Sequence, residues 1–356
     1  MTDVRGKVLS VLGPIEPEAL GTTLIHEHIL FDLSVYHDQR FGPGKAEPLP
    51  DEPLGIEHLW ILKNNVARLR DNVHQQSLDI AEAELLRYKA VGGSTVVEVS
   101  SGGLAPNPAG LAELARRTGL NIIAGTGYYI GASHPPDLAD KSVSQVADEM
   151  LRDVLEGFPG PDGTRVRAGV LGEIGTTEPL APAERTVLEA TGRVQAQTGT
   201  AIVLHPDSVH RTYEQIARTL DILERAGAAL DRVLISHCDD RLHPNYDSYA
   251  KLAARGCTLA FDTFGKQSYY ATRGRQYPSD EQRVMLVARL VADGLAGSVT
   301  LSHDVCYKTD LTRWGGDGYG HICRNIVPRL RQAGVSDAAI EQMLVENPRR
   351  LLPISR

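Results

Sequence analysis

Two histidines one residue apart, His26-Glu27-His28, end the apolar run TLIHEH (23–28). On an extended strand residues i and i+2 share a face, so both imidazoles point one way and Glu27 the other. Paired imidazoles at a strand end suit a divalent cation. An H-x-H pair alone is weak, because it recurs incidentally. Four further residues give it weight, since each ends an apolar run: Glu173 in AGVLGEIG, His205 in AIVLHP, His237 in VLISH and Asp304 in VTLSHD. Four imidazoles and two carboxylates at one rim do not make a core. Buried charges of one sign need a compensating partner, and cations supply it. Six ligands exceed the three or four of one catalytic zinc. They predict two ions about 3.5–4 Å apart, with both oxygens of Glu173 available for sharing. Histidine and carboxylate ligands without thiolate favour zinc first, with manganese, cobalt or iron as the other fits.

The chemistry such a centre performs is hydrolysis. A metal-bridging hydroxide would attack the electrophilic carbon or phosphorus, and the metals would stabilise the oxyanion. Asp304, a ligand close to that water, is the expected catalytic residue: it takes the proton and passes it to the leaving group. No G-x-S-x-G motif offers a competing serine nucleophile. The expected reaction is cleavage of a carboxylic ester or lactone. Amide (N-acyl) hydrolysis stands second, and weak phosphotriesterase activity third. A one-metal deaminase would leave Glu173 without a bridging role. A reading of another class is a metal-containing protein that binds a small molecule with little turnover.

The elements that must position these residues are short apolar strands: 22–28, 94–99, 121–127, 168–174, 201–205, 232–237, 257–262 and 298–304. Helical patterns lie between most of them. Val187, Ala190 and Val194 mark one helix face, as do Ile216, Leu220 and Leu223, and Val284, Val287 and Val291. Ser336 is the expected N-cap of a final helix ending at Asn347-Pro348. Eight strands alternating with amphipathic helices imply parallel strands joined by crossovers. With no glycine-rich fingerprint after the first strand, the expected fold is an α/β (β/α)₈ TIM barrel, a single domain over residues 1–356, with its binuclear metal centre at the C-terminal face. Three loops share that face: 32–76, 264–280 and 305–320. Lys266, Arg275 and Trp314 are candidate substrate contacts from the last two. Tyr129 is a fourth, a phenol that offers an apolar body and a polar tip. Glu98, Asp240 and His303 are expected around the ligands. Alternation sends His303, Cys238 and Cys306 away from the metals.

With Lys and Arg numbering 37 against 45 Asp and Glu, the net charge of −8 disfavours nucleic acid as a partner. No run of about 18 apolar residues predicts a membrane span. The first residues lack the apolar core of a secretory signal. Four cysteines without a C-x-x-C pair read as reduced thiols of a cytoplasmic protein. The expected partner is a small-molecule substrate, with a second copy of the chain as a possible homodimer.

The chain resembles the phosphotriesterase-like branch of the amidohydrolase superfamily over nearly its whole length. The matching stretches are LGTTLIHEH (20–28), VEVSSGG (97–103), GTGYY (125–129), GEIGT (172–176), LHPD (204–207), SHCDD (236–240), FDTFG (261–265), LSHDVC (301–306) and NPRRLL (347–352). The resemblance implies that His26, His28 and Asp304 hold the more buried ion. It places His205 and His237 on the more exposed ion, with Glu173 as the bridge. The best-known members bridge with a carbamylated lysine. Glu173 instead matches the phosphotriesterase-homology and resiniferatoxin-binding-type members. Tyr129 matches a family tyrosine near the metals. Thr263 departs from the family: phosphotriesterases carry histidine there and lactonases arginine, joining the positions of Asp304 and Asp240. Threonine cannot carry that charge, which argues against paraoxonase-type and acyl-homoserine-lactonase-type assignments.

Overall fold

The computed structural model describes residues 4–40, 49–160, 163–207, 212–240, 246–270 and 275–356. Eight parallel strands form one sheet: β1 (Thr23–Glu27), β2 (Thr95–Glu98), β3 (Asn121–Thr126), β4 (Ala168–Gly175), β5 (Ala201–His205), β6 (Val233–Ile235), β7 (Thr258–Phe261) and β8 (Val299–Leu301). Each hydrogen-bonds its neighbour in chain order. The sheet curls until β8 meets β1, where His28 N donates to Val305 O and Asp304 N to His26 O, each at 3.2 Å. The result is the expected (β/α)₈ barrel.

Helices follow the strands because the apolar periodicity switches from two to 3.6. They are α1 (Leu78–Ala90), α2 (Pro108–Thr118), α3 (Val143–Leu155), α4 (Pro182–Thr198), α5 (Tyr213–Arg225), α6 (Asp247–Ala254), α7 (Asp280–Ala292) and α8 (Val327–Gln332). Side chains satisfy several first-turn amides. Asn107 accepts from Gly110 N, and the Ser142 and Ser279 hydroxyls accept from the amides of Gln145 and Gln282. The predicted faces of α4 and α5 are fully buried. On α7, Val284 and Val287 are buried while Val291 is half-buried.

Strand alternation divides the apolar side chains. Ile25, Val97, Ile123, Val170, Val203, Leu234 and Ala260 fill the barrel interior. Leu24, Val96, Ile122, Ile202, Val233, Leu259 and Val299 face outward against the helices. Val8, from an N-terminal hairpin, and Leu351 and Leu352 plug the bottom. The interior is therefore packed below and polar above, which confines chemistry to the C-terminal rim.

Two differences from the sequence reading have physical causes. β6, β7 and β8 stop before their terminal polar residues, and His237 and Asp304 adopt φ of 58° and 53°. Those left-handed conformations take the chain out of the sheet at the rim. The second difference is a correction: Asn347-Pro348 does not end the last helix. Ser336 caps it as expected, accepting from Ala339 N at 3.2 Å. A π-turn, Gln342–Glu346, then leads into a further helical turn, Asn347–Leu351. The proline has no N–H to give the previous turn, and the wider turn accommodates it. No helix among the described residues is long and apolar enough to cross a membrane.

Candidate metal centre

His26 and His28 lie side by side at the end of β1, buried, with Glu27 on the opposite face. Glu27 accepts from Ser302 Oγ, His303 N, His303 Nδ1 and Val305 N at 2.7–2.9 Å, fastening the end of β8 to β1. His303 Nε2 accepts from Ile322 N at 3.0 Å. It faces away from the rim, as alternation requires.

Glu173 reaches the rim through an irregularity in β4, whose register against β5 shifts between Leu171 and Ile174. A bulge of this kind re-aims a side chain. Its backbone is held by Glu173 N donating to Val99 O at 2.9 Å and Ser101 Oγ donating to Glu173 O at 2.7 Å. Glu173 Oε1 lies 3.3 Å from His26 Nε2, 3.4 Å from His237 Nε2 and 4.0 Å from His205 Nε2. Its Oε2 lies 3.7 Å from His28 Nε2. Asp304 Oδ1 sits 3.3 Å from His28 Nε2 and 3.7 Å from His26 Nε2. The six residues thus converge, with Glu173 central to four imidazoles.

Two features fit this set to cations. Among the described residues, His26 Nε2 and Glu173 Oε1 are fully buried without a hydrogen bond. Such atoms are costly unless something unseen pairs with them. The donor set also falls into two groups able to hold an ion, His26 with His28 and Asp304, and His26 with Glu173 and His237. Burial pushes the Glu173 carboxyl up, but His205, His26 and the other rings outweigh it and bring it to about 2. A permanent carboxylate needs no carbon dioxide to become a ligand. Metal-stripped chain is therefore expected to regain full activity on zinc alone. Recovery that required added bicarbonate would contradict this, and a rate assay during reloading with and without bicarbonate decides it.

On His26, His28 and His237 the ring nitrogen turned away from the rim also has a partner. His28 Nδ1 pairs with Ser100 Oγ at 2.9 Å. Glu98, near that pair, is pushed to about 7, chiefly by burial. Asp262, fully buried just after β7, faces both His26 and His237. In sequence Asp262 reads only as the end of an apolar run; the closed barrel brings its carboxylate between two candidate ligands.

Lys266 is buried, and its Nζ donates to Asp304 Oδ2 at 2.8 Å and to Cys306 Sγ at 2.9 Å, with Asp310 at 3.8 Å. Burial disfavours its charge, but Asp304, Cys306 and Asp310 hold its pKa well above the ordinary value. Lys266 and the imidazoles hold Asp304 well below the carboxylate range against its burial. Cys306 points into the pocket beside Lys266, contrary to alternation, because the strand has ended before Asp304. Cys238 turns into the helix layer as expected.

Thr263 is tied instead to a neighbouring helix. Its hydroxyl accepts from Arg283 at 2.8 Å. Arg283, fully buried on α7, pairs with Asp239 at 3.0 Å and donates to Lys266 O at 2.9 Å. This guanidinium fixes the turn that delivers Lys266, and no sequence signal marked it.

Tyr129 hydrogen-bonds the hydroxyl of Tyr36 and lies 3.2 Å from His205 Nε2. Burial first, then Tyr36 and Glu173, keep its phenol protonated. Tyr129, Lys266, Asp240, Thr263, Tyr36 and Cys306 line one pocket with five of the six candidate ligands. Trp314 does not line that pocket. It borders a larger neighbouring cavity with Trp60, and Lys266 lies on the wall of both. The Arg275 side chain lies outside the described residues.

The fold and rim define a (β/α)₈-barrel hydrolase with a candidate two-cation centre. The particular family follows from comparison: residues 6–352 match the model of the phosphotriesterase family, and the chain belongs to that family. It is 35% identical over 355 residues to N-acetyltaurine hydrolase of Danio rerio, with 99% of each chain covered. Among solved structures it is similar to a resiniferatoxin-binding protein from Rhodobacter sphaeroides, with a TM-score of 0.89 and 34% identity, covering 98% of this chain and 96% of that one. It is also similar to the phosphotriesterase homology protein from Escherichia coli, complexed with phosphate in its active site, with a TM-score of 0.76 and 29% identity, covering 94% and 99%.

Proposed function

We propose that this chain hydrolyses a small N-acyl amide that bears an anionic group, at a two-cation centre held by His26, His28, Glu173, His205, His237 and Asp304. The observation that carries the reading is Lys266. Among the described residues it is the one lysine or arginine lining the ligand pocket. An ammonium has three donors. Asp304 and Cys306 take two, and Asp310 stands off at 3.8 Å, beyond hydrogen-bond reach, so the third is open to a carboxylate or sulfonate on the substrate. The full-length relative named N-acetyltaurine hydrolase supports an amide. This reverses the order expected from sequence, which put ester or lactone first.

Two divalent cations bound at the rim would polarise the scissile carbonyl and lower the pKa of a water. The protein's own groups do the rest. Asp304, kept ionised by Lys266, accepts a proton from the attacking water and returns it to the leaving nitrogen. An amine leaves poorly without that proton, so the carboxylate matters more for an amide than for an ester. The Tyr129 hydroxyl, still protonated, donates to the carbonyl oxygen as charge develops there.

Lys266→Met is expected to raise KM for an anionic N-acyl amide about 10–100-fold, the value of a hydrogen bond to a charged group of ~1.5–3 kcal/mol. A neutral N-acyl amide loses less. The acid limb of the rate profile moves to higher pH, because Asp304 loses the cation that lowers its pKa. Equal losses on both substrates with an unmoved acid limb would contradict the role of Lys266.

The reading itself is tested by turnover of N-acetyl amides of small sulfonic and amino acids against lactones and esters, with Asp304→Asn as control. Faster turnover of the anionic amides is expected. Preference for lactones returns the assignment to the ester class. Tight binding with no turnover favours a binding protein.

A further inference from the structure

The Asp262 carboxylate lies between two candidate ligands. Oδ1 is 2.9 Å from His237 Nδ1 and also accepts from His237 N at 2.8 Å. Oδ2 is 2.9 Å from His26 Nδ1. His26 Nδ1 hydrogen-bonds Ser236 Oγ, also at 2.9 Å. Oδ2 makes no hydrogen bond among the described residues, so it faces His26 as a close charged contact rather than as a directed acceptor. The carboxylate is fully buried, and its own amide is tied to Asp239 Oδ1 at 3.1 Å. It is held rigidly and cannot swing to solvent.

We infer that Asp262 is a positioning residue that couples the two halves of the centre, fixing one imidazole of each in the tautomer that binds a cation. The inference rests on the six-ligand reading. A ring ligates through Nε2 only if its proton is on Nδ1, and that proton needs an acceptor. Asp262 sets a negative charge 2.9 Å from Nδ1 of His26, grouped with His28 and Asp304, and hydrogen-bonds Nδ1 of His237, grouped with His26 and Glu173. A single carboxylate therefore sets the state of both groups, and their affinities are linked through it.

Asp262→Asn gives an asymmetric test. The Oδ1 position must still accept from His237 N, because an amide NH₂ there would oppose that N–H. The NH₂ of asparagine is then turned to His26. It donates to His26 Nδ1 and moves the ring proton to Nε2, the atom aimed at the cation. His237 keeps its acceptor.

The experiment is zinc titration of metal-stripped wild type, Asp262→Asn and Asp262→Ala, with ¹⁵N spectra of the histidine side chains and thermal unfolding of each. Wild type is expected to take up two equivalents, with His26 and His237 both protonated at Nδ1. Asp262→Asn is expected to take up one, with His26 protonated at Nε2. Asp262→Ala is expected to take up two, each about 10–100-fold more weakly, the usual cost of losing such a partner. A folded Asp262→Asn chain that binds two equivalents within threefold of wild type, with His26 still protonated at Nδ1, overturns the inference. If neither variant folds, the loaded wild type decides, and a proton on Nε2 of either ring overturns it. A wild type that takes up fewer than two cations overturns the two-cation reading, and this inference with it.

Discussion

Glu173→Gln is expected to reduce cation uptake from two equivalents to one or none and to cut kcat by about 10³-fold or more. The carboxylate lies within 4.0 Å of all four candidate ligand imidazoles, with Oε1 facing three and Oε2 the fourth. Glutamine keeps the shape but offers one neutral oxygen and a pair of N–H donors. The donors would repel a cation at the second position. A loss of about 10³ corresponds to ~4 kcal/mol of barrier, comparable to removing a central electrostatic group from a dry site. Elemental analysis of the purified variant, with steady-state rates on the preferred amide, checks it. A variant that holds two cations and keeps kcat within tenfold would remove Glu173 from the bridging position.

Asp304→Asn is expected to lower kcat by a similar factor, about 10³-fold, with little change in KM. Asparagine cannot accept the proton of the attacking water, so the loss falls on the chemical step. The same change strands the Lys266 ammonium, which pairs with Asp304 Oδ2 at 2.8 Å in a buried site. Breaking one side of a buried pair costs about 3–5 kcal/mol. Asp310, 3.8 Å away, recovers part of that. The variant is therefore expected to melt at lower temperature than wild type. Adding Lys266→Met removes the stranded charge and restores most of the melting temperature without restoring activity. Calorimetry with parallel rate assays separates the two effects. A double variant as unstable as the single one would show that the pair does not couple in this way.

The barrel was readable from eight apolar runs because alternation and helical periodicity are local properties. The polar residues ending those runs were equally visible, since a charged group after four apolar ones stands out. What eluded the sequence were partners that only closure assembles. Asp262 lies between His26 and His237 because β7 stands beside β6 and near β1 across the barrel top. Lys266 reads as an ordinary loop lysine until Arg283, from α7, is seen gripping its carbonyl. Alternation misplaces Cys306, because β8 has already ended and the left-handed Asp304 turns the chain. Pro348 reads as a stop because the π-turn that admits it has no sequence signature. In each case the deciding contact joins residues well separated in the chain or depends on a backbone conformation that side-chain pattern does not encode.

The central claim is a pair of cations shared by Glu173. The most direct measurement is a crystal structure of zinc-loaded wild type with anomalous scattering data at the zinc edge. Two peaks are expected about 3.5–4 Å apart, one beside His26, His28 and Asp304, the other beside His205 and His237, with Glu173 touching both. A single peak, or two that do not share Glu173, would contradict it.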